Sequence, residues 1–220
     1  MGRIADQRNP DERLIIFTRY PRAGHTKTRL IPALGPKGAA DLQRQMTQHA
    51  LAAAREARAR RSLAIEIGFT GGGEAAMARW LGRDLTYHPQ ARGDIGRRMA
   101  SAFVRTFRQP VRRAVLMGSD TPGITPAIIA AALDGLRNTD LVLGPARDGG
   151  YYLIGLGAAG APKLLPGIFT DIPWSTDQVL SATLEKARRA GVEPSCLKVL
   201  EDVDRPGDLA VWERYRRASG

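Results

Sequence analysis

The chain has 220 residues, 43% of them hydrophobic, enough for one well-buried domain, and no apolar run approaches the ~20 residues that span a bilayer. The 33 Lys and Arg against 22 Asp and Glu give a net charge of +11. These basic residues fall in scattered pairs such as Arg60-Arg61, Arg97-Arg98 and Arg188-Arg189, without a continuous stripe or interleaved aromatics, which points away from nucleic acid and toward solvated helix faces.

The lone Cys196 excludes an internal disulfide and a cysteine-based zinc cluster, and it is expected to be a small buried hydrophobe. His25, His49 and His88 show no metal-ligand spacing, so a metal here is expected on oxygen ligands. The charged opening MGRIADQRNPDER does not resemble a signal peptide. It predicts a flexible lead over residues 1–13, a single domain over 14–217 and a cytoplasmic protein.

In chain order, the strand-like run LIIF (14–17) precedes a helix within 36–61, whose Leu42, Met46, Ala50, Ala53, Ala54 and Ala57 recur at three- and four-residue steps. The strand SLAIEIGF (62–69), a short helix near 74–81 and the strand LTYH (85–88) follow. Next come a helix over 96–107 and the strand AVLMG (114–118). Thr125-Pro126 reads as an N-cap and first turn of a helix over 126–137. LVLG (141–144) and YYLIGL (151–156) read as strands, and a helix over 176–190 is expected with Ser175 or Thr176 as its cap. A last strand near 196–200 and a helix over 206–217 complete the order. Such alternation predicts an α/β fold with a mostly parallel sheet covered by helices on both faces.

In sheets of this kind, ligands bind beyond the carboxyl ends of the strands. After LIIF comes YPRAGHTKTRL, which gathers Arg22, Lys27 and Arg29 around Gly24. Backbone amides and cations in such a turn can hold phosphate, or the turn can simply be solvated, and the spacing fits neither a P-loop nor a dinucleotide fingerprint. After AVLMG comes Ser119-Asp120-Thr121-Pro122, where Asp120 is placed as a hard ligand for Mg²⁺ or Mn²⁺, or as the opening of a turn. After LVLG, Asp148-Gly149-Gly150 allows either close backbone approach to a ligand or a hairpin turn. The acidic stretch Glu201-Asp202-Val203-Asp204 places Asp202 and Asp204 on one side, as helix caps or as metal ligands shared with Asp120.

The segments PRAGHTKTRL, GDIGRRMASAF, GSDTPGITP, DLVLGPARDGGYYLIGL, IPWSTDQVLSATL and EDVDRPGDLA, in this order, resemble a bacterial glycosyltransferase-like family of the DUF2064 type, associated with radical-SAM and selenium-domain proteins. That resemblance covers about residues 14–211 and implies the nucleotide-diphospho-sugar transferase (GT-A) fold, a three-layer α/β/α sandwich. KTRL also resembles guanylyltransferases acting on phospholactate-like acids, and VDRPGDL is similar to the VDTPEDL ending of sugar-acid cytidylyltransferases. The chain departs from these relatives in lacking a GGxGTR signature and a full D-x-D motif.

The resemblance implies Asp120 and Asp204 as ligands of Mg²⁺ or Mn²⁺, and the diphosphate of a nucleotide sugar as the anion near Arg22, Gly24, Lys27, Arg29, Ser119 and Asp120. In that scheme Lys27 and Arg29 balance leaving-group charge, and Asp148 is the candidate general base for a small acceptor. Asp94 becomes a candidate nucleobase or sugar contact. Gly149, Gly150, Trp174, Ser175 and Thr176 become candidates for the sugar and acceptor pocket, with Trp174 equally suited to packing on the sheet. The implied activity is glycosyl transfer from a nucleotide sugar to a small acceptor. Nucleotidyl transfer from an NTP to a phosphorylated acceptor, and a nucleotide- or nucleic-acid-binding module without turnover, are the alternatives.

Overall fold

The computed structural model describes residues 10–218. Its first strand, β1 (Glu12–Arg19), explains the arrangement of the rest, because Leu14, Ile15 and Ile16 are all fully buried. Successive side chains of a strand point to opposite faces, so both faces of β1 must be covered. It lies parallel between β2 (Leu63–Thr70) and β4 (Arg113–Gly118), with β3 (Thr86–Pro89) parallel outside β2. Beyond β4 the sheet continues with β6 (Tyr151–Gly157), antiparallel to both β4 and β5 (Leu141–Pro145). A two-residue strand, β7 (Ser195–Cys196), pairs parallel with β5 at the edge, giving the order β3-β2-β1-β4-β6-β5-β7.

Helices cover both faces. α1 spans Ile31–Arg60, interrupted at Gly35 (φ 68°) so that Pro36 opens the long segment. α2 (Glu74–Leu81), α3 (Ile95–Phe107), α4 (Pro126–Gly135), α5 (Ala161–Leu164), α6 (Val179–Arg189) and α7 (Leu209–Ala218) follow. One core packs α1, α2 and α4 against Leu14, Ile16, Ile65 and Ile67. The other packs α3, α5 and α6 against Ile15, Phe17, Leu116 and Ile154. A third, smaller core joins the start of α1 to α7 through Leu30, Leu42, Met46, Val203 and Val211. The fold is the expected three-layer α/β/α sandwich with a mostly parallel sheet.

Several local expectations change. The strand reaches back to Glu12, inside the expected flexible lead, because Glu12 is buried in a bidentate pair with Arg61 (2.7 and 2.8 Å) and contacts Arg113 at 3.0 Å. The part of that lead at residues 1–9 lies outside the described residues. The helix expected from 176 begins at Val179, since Ser175 adopts φ 67° and Thr176 is held in the preceding turn, its hydroxyl donating to Pro173 O and accepting from Gln178 N. Thr125 does cap α4, accepting from Ile128 N. Cys196 is exposed rather than buried, because its strand is only two residues long and lies at the sheet edge. Only the bridge Ala146–Leu200 remains of the rest of that expected strand.

Glu66, in the middle of β2, is 1% exposed and lies 3.2 Å from Arg13 and 3.5 Å from Arg105. Removing one member of a buried charge group leaves the others desolvated without compensation. Glu66→Ala should therefore lower stability by about 3 kcal/mol in urea unfolding, with Glu66→Gln less harmful because the amide oxygen still accepts.

Candidate functional site

Because β6 reverses direction between β4 and β5, the carboxyl ends of β1, β2, β4 and β5 share one edge of the sheet. Loops from that edge enclose a cleft of three adjoining lobes, of about 820, 370 and 240 Å³, all bordered by Asp120 and Ile95.

The basic loop after β1 is held by Thr26, which is 1% exposed: its hydroxyl donates to Tyr20 O and accepts from Arg22 N, each at 3.1 Å. Arg22 and Gly24 sit on the exposed outside of this turn and are not among the residues lining the three lobes. Lys27, in the left-handed conformation (φ 45°), turns inward. Its ammonium, 4% exposed, donates to Val203 O at 2.7 Å and lies 2.7 Å from Oδ1 of Asp120, a charge contact rather than an aligned hydrogen bond. Arg29 pairs with Asp204. The structure thus brings together Lys27, Arg29, Asp120 and Asp204, with Val203 N donating to Asp120 O at 2.9 Å.

Ser119 is buried at the floor of the 370 Å³ lobe, which it helps to line. Its hydroxyl, with those of Thr18 and Thr47, lies within 3.1 Å of the Gln43 amide, which ties α1 to the ends of β1 and β4. Gln43 carries no sequence signal beyond being a polar residue on the apolar face of α1. Asp94 caps α3, its carboxylate accepting from Arg97 N at 2.8 Å, and it is not among the lobe-lining residues. Its neighbour Ile95 is the central wall instead, an exposed large apolar residue just inside the cap that could have been read as a contact.

Asp148 accepts from Gly150 N at 2.9 Å, whereas Gly149 N donates to Ala146 O. Gly149 (φ 87°) is demanded by the chain itself: a Cβ there would fall 2.2 Å from Asp177 O. Leu180 N donates to Gly149 O at 2.9 Å, seating the segment that carries Ser175 and Thr176. Trp174 packs edge-on to Tyr151, with ring centroids 6.4 Å apart, and lies over Gly96, where a Cβ would come within 2.5 Å of the indole. It therefore both packs and lines the smallest lobe, with Ser175, Thr176, Asp148 and Gly150.

Asp202 borders the largest and smallest lobes and was weighed from sequence only as a cap or shared ligand. Burial first, then the negative charge of Asp148, pushes its pKa up to about 6. Among the described residues, no three His, Cys, Asp or Glu side chains are preassembled as a metal cage. Nor is any helix among them long and apolar enough to cross a membrane.

The description "Uncharacterized protein conserved in bacteria (DUF2064)" matches residues 39–176. This chain belongs to the DUF2064 family. A protein of Desulfovibrio desulfuricans G20, provisionally assigned as a nucleotide-diphospho-sugar transferase, is 33% identical, with a TM-score of 0.83 over 94% of this chain and 87% of that one. The 4-diphosphocytidyl-2C-methyl-D-erythritol synthase of Anaerococcus prevotii DSM 20548 superposes with a TM-score of 0.62 at 9% identity, over 94% and 97% of the two chains. Rv0371C of Mycobacterium tuberculosis H37Rv, in a complex with manganese, does so with a TM-score of 0.53 at 18% identity, over 91% and 96%. At such identities these last two share the fold with the DUF2064 chain. No curated protein matches it.

The raised Asp202 carboxyl has a pH consequence. Its folded pKa of about 6 exceeds the ordinary 3.8, so the folded chain binds more protons between those values and stability falls as pH rises through that window. Without divalent cations, Asp202→Asn should melt above wild type at about pH 8 and show no advantage at about pH 3, by thermal denaturation.

Proposed function

We propose that the chain is a divalent-metal-dependent glycosyltransferase, moving a sugar from a nucleotide-sugar donor to a small acceptor. The observation that carries this reading is that Asp120 stands where two chemically opposite lobes meet. One, of about 370 Å³, is lined by Arg19, Lys27, Arg29 and Arg98 and suits a nucleoside diphosphate. The other, of about 240 Å³, is walled by Tyr151, Tyr152 and Trp174 with Asp148 at its side and suits an acceptor. A phosphate leaving group on one side and a nucleophile on the other is the arrangement that transfer between two bound substrates requires. The 33% identical D. desulfuricans relative, assigned to nucleotide-diphospho-sugar transfer, supports the same reading.

Asp120 and Asp204 fit Mg²⁺ or Mn²⁺, since each carboxylate already attracts a cation, Lys27 and Arg29 respectively. Such ions are commonly held by one or two carboxylates together with substrate phosphates, so a preassembled protein cage is not needed. When bound, the ion supplies Lewis-acid stabilisation of the diphosphate. Lys27 and Arg29 stand at the same place and add positive charge beside the leaving group. Asp148, oriented by Gly150 N, accepts the proton of the acceptor hydroxyl. The hydroxyl oxygen bonds to the anomeric carbon as the carbon–oxygen bond to phosphate breaks, and the nucleoside diphosphate departs with the electron pair.

Nucleotidyl transfer is the second reading, favoured by the fold shared with the Anaerococcus diphosphocytidyl-methylerythritol synthase. It uses the same basic lobe but releases pyrophosphate. Thermal-shift binding of nucleotide sugars and NTPs with and without Mn²⁺, followed by product analysis, separates the two. The expected result is a Mn²⁺-dependent shift with a nucleotide sugar, about 2.7 kcal/mol at a hundredfold excess over Kd, and release of a nucleoside diphosphate. Asp120→Asn should keep the fold, lose the metal-dependent shift and lower turnover about a hundredfold or more. Metal-dependent binding that survives Asp120→Asn overturns the metal assignment, and binding of polynucleotides without turnover supports the binding-module reading instead.

A further inference from the structure

The smallest lobe restricts the kind of molecule that can occupy it. Its charged lining groups are Asp120, Asp148 and Asp202, with no Lys or Arg among them. In the adjoining largest lobe too, carboxylates outnumber the guanidinium groups of Arg29, Arg147 and Arg205. Two of those three cations are already engaged, Arg29 by Asp204 and Arg147 by Glu201 at 3.3 Å. A chain with a net charge of +11 has thus withheld cations from this part of its surface. A phosphate or carboxylate group there would lie beside Asp148 and Asp202 with no cationic side chain on the lobe's own wall, Lys27 being engaged by Asp120 and Val203 O, which is unfavourable.

The remaining walls combine apolar and aromatic groups, Ile95, Met99, Val179 and the edge-to-face Tyr151–Trp174 pair, with the hydroxyl residues Thr121, Ser175 and Thr176. Trp174 is held in place by its close fit over Gly96. A fixed aromatic surface favours a ring laid against it, and carboxylates beside aromatic faces tolerate or attract positive charge. At about 240 Å³ the lobe is smaller than the roughly 300–1,000 Å³ of ordinary drug-sized pockets and holds about one ring, with the adjoining 820 Å³ lobe open to the rest of a larger ligand.

We infer that the acceptor places in this lobe a single ring that carries the reacting alcohol, bears no phosphate or carboxylate and turns its hydroxyl to Asp148. This rests on the transfer reading above and deepens it. It also bears on the two transfer chemistries, because a phosphorylated acceptor would meet no cationic side chain on the wall of this lobe.

The test uses three probes of one shape and different charge: benzyl alcohol, benzylamine and benzyl phosphate. Each is titrated into the full-length protein without divalent cation, and Kd is read by ligand-observed NMR. The alcohol and amine should bind, with benzyl phosphate at least tenfold weaker. Trp174→Ala should weaken the alcohol and amine together by about tenfold. The double variant Asp148→Asn, Asp202→Asn should narrow the gap between alcohol and phosphate.

Equal or tighter binding of benzyl phosphate overturns the inference, as does no binding of any probe at about 10 mM, an unchanged affinity in Trp174→Ala, or an unchanged gap in the double variant. Donor binding is read separately, by the nucleotide-induced thermal shift of the wild-type protein. A failed acceptor inference with an intact shift leaves the donor assignment standing, whereas loss of the shift undermines the transfer reading itself.

Discussion

One buried ammonium organises the site. Lys27 reaches from the loop after β1 to both the Asp120 carboxylate and the carbonyl of Val203, so a single cation joins three loops distant in the chain. Its burial is offset by these two partners, the carboxylate and the carbonyl. The small third core makes that meeting possible: Leu30 follows the basic loop, Val203 sits between Asp202 and Asp204, and both pack with Leu42, Met46 and Val211. Apolar packing between α1 and α7 therefore sets how closely the basic and acidic loops approach.

Charge is partitioned rather than scattered. The buried carboxylates Glu12 and Glu66 engage Arg61, Arg113, Arg13 and Arg105, taking several arginines out of any open surface. At the cleft the balance reverses, and the raised pKa of Asp202 is its signature. Negative charges held close together are unfavourable in the free protein and become favourable when a cation enters. The clustered carboxylates thus cost the free chain some stability, a cost that binding of a cation would relieve.

Much of the fold was legible because its signals are local. LIIF buried on both faces, the three- and four-residue steps of α1 and the Thr125-Pro126 cap each follow from the residues that form them. The loops at the strand ends were found by the same logic, and Asp120, Asp148 and Asp204 do border one cleft. What could not be read was pairing across the chain. Nothing in YPRAGHTKTRL says that Lys27 turns inward while Arg22 stays outside, since that depends on Thr26 closing the turn and on Asp120 and Val203 lying beyond it. Gln43 and Ile95 were missed for a related reason, because each matters through neighbours more than twenty residues away. Cys196 was misjudged because composition predicts burial by residue type, whereas the length and edge position of β7 decide it.

The backbone carries an independent mark of the same region. Among the described residues, the non-glycine positions with positive φ are Lys27, Asp171 and Ser175. Each such conformation costs on the order of 1–3 kcal/mol and persists only where surrounding contacts over-determine it. Lys27 is fixed by its two partners beside the basic lobe, and Ser175 follows Trp174 in the wall of the smallest lobe, with Asp171 earlier in the same loop. Among the described residues, left-handed non-glycine backbone therefore lies in these two loops. A loop selected only to connect elements has no reason to keep such conformations, whereas one that must present a particular side chain to a ligand does. The strained backbone and the opposed charges of the two lobes, which arise from different physics, mark the same cleft.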